Sequence, residues 1–246
     1  MKNVSWGRIV FGASAVLFGI IALLWHDAET WQTLRQIWSL PSGLIIGECL
    51  MAAQIVGGIA IPIPRAARFA SAILCAVYLC FSLACLPAVV ASPSVFAQYE
   101  SFCEQFSMLC GAMALFAATD TNATRTALFG RLARLGLGVC TICFAVSQMV
   151  YLRFTAELVP KWIPPSPKFW VILTTIGFAL AAIALLLNRQ AKIAARFLTL
   201  MLGLFGIMVW IPRVVAHPQA HGNWSECALT FLICGASWMV ANLSML

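Results

Sequence analysis

Charge is what this sequence has least of. Lysine plus arginine number 15 and aspartate plus glutamate 8 among 246 residues, 9% in all. A soluble domain carries about a quarter, so this chain cannot build a water-facing shell. The uncharged gaps are long: between Arg68 and Glu100, between Lys168 and Arg189, after Glu226, and through Ile9–Trp25 and Leu135–Leu152. Period-two alternation is missing too, which excludes a transmembrane barrel and leaves helices to satisfy the backbone in hydrocarbon. No small-residue cleavage site precedes His26, so the apolar stretch after Lys2 and Arg8 reads as a retained first helix rather than a signal peptide. No basic run is long enough to follow a phosphate backbone; the formal charge of +7 therefore points to loop cations that orient helices, not to nucleic acid. P-loop, dinucleotide-binding, zinc-protease and nucleophile-elbow patterns are lacking. So are haem, flavin and iron–sulfur signatures, which argues against a self-contained oxidoreductase.

What the chain does have is apolar length. Hydrophobic residues make up 62%, and a spanning helix needs roughly 20 in succession. Eight spans are expected, at 8–25, 42–62, 66–90, 98–118, 131–152, 167–187, 193–215 and 223–244. The predicted class is an all-α membrane protein whose main partner is the lipid bilayer. Alternate span ends collect unequal positive charge. One side has Lys2, Arg8, Arg65, Arg68, Arg125, Arg131, Arg134, Arg189, Lys192 and Arg196; the other has Arg35, Arg153, Lys161, Lys168 and Arg213. Ten against five places both termini in the cytoplasm of a plasma-membrane protein.

The chain also repeats itself. Residues 86–93 (Leu-Pro-Ala-Val-Val-Ala-Ser-Pro) match 211–218 (Ile-Pro-Arg-Val-Val-Ala-His-Pro). Cys103 and Cys110-Gly111-Ala112 match Cys227 and Cys234-Gly235-Ala236; Arg65 and Arg68 match Arg189 and Lys192; Arg8 and Gly12 match Arg134 and Gly138. The offset stays at 124–126, in order along four segments. Each copy holds an even number of spans, so both have the same orientation, unlike inverted-repeat transporters. The expected units are 1–118 and 131–246, two four-helix bundles side by side, joined by a polar linker at 119–130.

The second copy carries Val159-Pro160-Lys161-Trp162-Ile163-Pro164, the Asn188–Arg196 basic turn, Ile211-Pro212-Arg213 and Trp224-Ser225-Glu226. In this order they resemble the DoxX family of small four-helix membrane proteins. The first copy lacks the first of these elements, having Trp31 and Trp38-Ser39-Leu40-Pro41 instead, and has Ala88 where the second has Arg213. The resemblance implies a four-helix fold in each copy. For function it implies an accessory or quinone-contacting subunit of a membrane redox complex, with an oxidoreductase partner holding any cofactor. A homo-oligomer is the alternative assembly.

Several residues qualify as ligand or proton sites. Glu48 lies inside the second span with Gln54 on the same helix, and the other copy has no acid there. An intramembrane carboxyl faces a partner, a cavity or a pathway, so Glu48 and Gln54 also fit a small-solute or proton-coupled transporter; a structurally paired carboxyl is the plain alternative. Trp162, Arg213, Trp224 and Glu226 gather at one membrane face. An Arg213–Glu226 pair across the loop could hold an anionic or quinone-like headgroup, or the group is an aromatic belt with a salt bridge. His217 and His221 are separated by Pro218, which breaks a helical metal pair. Cys140 and Cys143 have dithiol spacing, yet cysteine in apolar helices packs as a small hydrophobe. Pro87 and Pro212 are expected to kink or end their helices. A non-catalytic assembly protein needs none of these groups.

Overall fold

Helices are the only regular elements among the described residues. The computed structural model describes residues 6–26 and 35–243; Lys2, Trp31 and both chain ends lie outside them, and of Arg35 only the backbone is described. Eight helices are long and apolar enough to cross a membrane. They are α1 (Trp6–Leu24), α2 (Gly43–Ala60), α3 (Ala67–Ala91), α4 (Phe96–Thr119), α5 (Ala123–Val150), α6 (Pro167–Leu187), α7 (Ala191–Ala216) and α8 (His221–Ala241). All but α5 begin and end within about three residues of the expected spans, because lipid-length apolar runs leave the chain few other ways to bond its backbone.

Local chemistry sets the ends. Ser166 caps α6 by accepting the Phe169 N–H at 3.3 Å, and Pro167 follows it, where a missing N–H costs nothing. Asn188 ends the same helix at φ 53°. The polar stretch 119–130 is mostly helix rather than linker. Asn122 accepts the Arg125 N–H at 3.0 Å, so α5 starts at Ala123 and its first two turns absorb the polar residues. Neither proline ends its helix at once: α3 runs past Pro87 to Ala91, and α7 runs past Pro212 to Ala216. Ahead of Pro212, Gly206–Trp210 form a wider π turn that accommodates the lost N–H.

Each span packs on the next, α1 returns to α8, and α4 meets α8 across the middle. The first helix of each half therefore lies on the last helix of the other: α1 on α8, α5 on α4. Residues 1–118 and 131–246 thus meet through α1, α4, α5 and α8. In lipid the gain comes from close packing and hydrogen bonds rather than water exclusion, and small residues mark the crossings. A side chain on Gly12 would lie 2.6 Å from the Gly58 carbonyl, so α1 and α2 touch backbone to backbone. A side chain on Gly111 would overlap Ala236 where α4 crosses α8.

Polar ties are few and specific. Arg8 of α1 donates to the Ile61 carbonyl just beyond α2 at 2.6 Å, and Arg134 of α5 donates to the Leu185 and Leu186 carbonyls at the end of α6. Arginines that match in sequence thus close matching helix ends. Gln54 donates to the Ala15 carbonyl at 2.8 Å, while Gln148 accepts from Thr174 and Thr175 at 3.1 and 2.9 Å. The outer surface is the inverse of a soluble protein's: Phe69, Val90 and Val215 are 74, 78 and 74% exposed.

Candidate functional site

The spans that carry the most polar groups are the ones buried deepest. α4 and α8, which meet at the centre, share the lowest mean hydropathy among the spans, 1.3 against 2.5 for α3. Lipid tolerates polar side chains poorly, so such helices are drawn to the interior of the bundle. At the end away from most of the arginines, α4 brings Glu100 and Glu104 and α8 brings Glu226. Glu104 interacts with Glu100, with Glu226 and with Cys143 of α5; Glu100 faces Ser147 of α5. Gln105, the residue after Glu104 along α4, is 3% exposed with its carbonyl oxygen unbonded among the described residues. No lysine, arginine or histidine lies within ion-pair distance of Glu100 or Glu104 among the described residues. An ionisable group set inside a span faces a partner, a cavity or a pathway.

Thiols adjoin these acids. Cys103 interacts with both Cys140 and Cys143, and Cys140 also reaches Cys110. The Cys140-x-x-Cys143 spacing is therefore completed from α4. Gly136 makes this contact close: a side chain there would lie 2.6 Å from the Cys110 sulfur. All ten cysteines are free, and no three His, Cys, Asp or Glu residues among those described are placed to hold a metal ion.

The residues singled out in the sequence separate into distinct places. Glu48 Oε1 lies 3.6 Å from His26 Nε2, an acid–imidazole pair joining the end of α1 to α2. His26 neighbours Trp38, ring centroids 6.1 Å apart. Close by, Trp25 stacks on His221 at 4.0 Å and 6°, with Trp224 at 6.3 Å. Trp224 itself donates to the Pro218 carbonyl at 3.0 Å. Gln54 is fully buried and serves the α1–α2 contact through its amide N–H, its carbonyl oxygen being unbonded among the described residues. Trp162 is 74% exposed, as an interfacial aromatic would be.

The Arg213–Glu226 pair expected from the sequence does not form. Arg213 donates to the Glu157 carbonyl at 3.3 Å, and its guanidinium lies 5.8 Å from the Trp210 ring. The cause is the loop: α7 continues to Ala216 and α8 starts only at His221, so Arg213 stays on its own half while Glu226 turns towards α4. Of the sequence candidates, Glu226, Cys140 and Cys143 lie in the packing of α4, α5 and α8; Glu48 and Trp224 belong to the aromatic cluster; Gln54, Trp162 and Arg213 belong to neither.

Sequence reasoning passed over Glu100 and Glu104, although both lie within the expected span at 98–118. The signal was available as two acids four residues apart in one of the two least apolar spans, a spacing that puts both on one helical face. Comparison with protein-family models, with curated proteins and with solved structures gives no match.

Proposed function

We propose that the chain is a DoxX-like protein of the cytoplasmic membrane, built from a duplicated four-helix unit with both termini inside. In this reading it is the proton-handling, quinone-contacting subunit of a membrane redox complex. The observation that carries it is the setting of Glu104, an acid at the centre of the bundle beside Glu100 and Glu226 with no cation in ion-pair reach among the described residues. Oxidation of a quinol releases protons, and carboxyls so placed accept them and pass them towards the aromatic end. The redox cofactor belongs to a partner oxidoreductase. Quinone content of the purified protein tests this. Glu104→Gln should lose co-purifying quinone while Glu48→Gln retains it; quinone absent from the wild type would sink the idea.

A second reading, proton-coupled transport of a small solute, draws on the same carboxyls and on the Glu48–His26 pair at the same end. Uptake into vesicles driven by an imposed proton gradient, abolished by Glu104→Gln, would favour it over the first. Partner activity that survives both substitutions would instead favour a scaffold.

A further inference from the structure

The opposite end of the bundle, rich in arginine, carries a groove that lies apart from Glu100, Glu104 and Glu226. It is lined by Arg65, Arg68, Phe69, Ala72 and Phe116, with a volume of about 300 Å³. Its lining changes character along its length. Arg65 and Arg68 stand at the start of α3, at the level of the helix ends, while Ala72 and Phe116 lie one turn further into the span. The Arg68 guanidinium sits 5.9 Å from the Phe116 ring, and Phe69 forms a wall that is 74% exposed to lipid.

The charges at the rim do not cancel. Asp120, between α4 and α5, lies 2.8 Å from Arg125 and 3.4 Å from Arg68. Arg65 has no acid within ion-pair distance among the described residues. Arg68 and Arg125 thus share one carboxylate and Arg65 has none, leaving positive charge in excess at the mouth of an apolar groove that opens to the bilayer. Arginine pairs phosphate through forked hydrogen bonds, and a basic pocket at a helix boundary suits an anionic headgroup whose chain can follow the span.

We infer that this groove is a binding site for one anionic phospholipid. Its phosphate is held by Arg65 and Arg68, and an acyl chain lies along Phe69, Ala72 and Phe116. The matching end of the other half serves as an internal control: Arg189 and Lys192 take the places of Arg65 and Arg68, but Ile193 and Arg196 replace Phe69 and Ala72. A cation in place of Ala72 leaves no apolar path for a chain.

The test uses the full chain, delipidated in neutral detergent, with native mass spectrometry and thermal unfolding as readouts. Phosphatidylglycerol should be retained and raise the melting temperature; phosphatidylcholine and inorganic phosphate should not. Arg65→Gln, an exposed change outside the helices, should weaken phosphatidylglycerol binding about five-fold, the worth of one basic side chain at a membrane surface. Arg189→Gln should leave it unchanged. Equal binding of phosphatidylcholine, an equal shift from inorganic phosphate alone, or equal loss in Arg189→Gln would each overturn the assignment.

Discussion

The two halves share a frame and differ in their acids. Arg8 and Arg134 bond the carbonyls that end α2 and α6, and the Gly111-Ala112 and Gly235-Ala236 steps lie at the central packing of α4, α8 and α1. At the offset of 124, however, Glu100 stands opposite Trp224, Glu104 opposite Ala228, and Phe102 opposite Glu226. Glu48 likewise has only apolar or hydroxyl residues opposite it. Several positions that match are ones the packing requires, since an arginine bonded to carbonyls or a glycine at a crossing has no substitute of equal shape. Positions that differ are free to carry chemistry, and all three central acids are among them. The polar tie between the first two helices of each half also differs: Gln54 supplies it from α2, Gln148 from α5.

This comparison can be broken at several points. The largest effect is expected at the crossing. Gly111→Val forces a side chain into Ala236 and should cost about 3 kcal/mol by overpacking, whereas Gly203→Ala, whose nearest contact would be the Cys234 sulfur at 3.7 Å, should be tolerated. Reversible unfolding in mixed micelles measures both, and equal stability would deny that α4 and α8 meet as described.

Next come the arginines. Arg8→Ala and Arg134→Ala each strand helix-end carbonyls and should each lose about 1–3 kcal/mol. If one loses and the other does not, the matching roles are an accident of the alignment. The glutamines should matter less, since hydrogen bonds between spans average about 0.6 kcal/mol. Gln54→Leu and Gln148→Leu should fall near that value alone and add when combined, the two being in different halves.

The smallest effect belongs to Asp120, which has no counterpart in the second half. The Asn122 N–H, followed by the Arg125 and Arg68 guanidiniums, holds its carboxyl below the ordinary aspartate value. A carboxyl depressed in the folded state adds stability above its unfolded pKa and surrenders it as pH falls through the folded value. Wild type should therefore lose a small increment of stability on acidification below the usual aspartate range. Asp120→Asn should lack that increment at neutral pH and show a flatter acid limb. Superimposable pH profiles would show that the contacts contribute nothing.

Much of this molecule is legible in its sequence. Scarce charge and lipid-length apolar runs determine eight helices, because hydrocarbon leaves unbonded peptide groups no other partner. The sequence match pairs Arg8 with Arg134, and these two do bond the carbonyls at the ends of α2 and α6. Helix starts were harder. The polar residues from 123 to 130 look like a linker until the Asn122 cap converts them into the first turns of α5. The site was legible only in pieces: the sequence names Glu226, Cys140 and Cys143, but places Glu226 with Arg213. Periodicity tells which residues share a face of one helix. It does not tell which helix that face will meet. Only the tertiary structure decided that α1 crosses to α8 and α5 to α4, so that α4 and α8 meet in the middle. Two helices that polarity drives out of lipid satisfy that demand by packing on each other, and their union brings Glu100, Glu104 and Glu226 together.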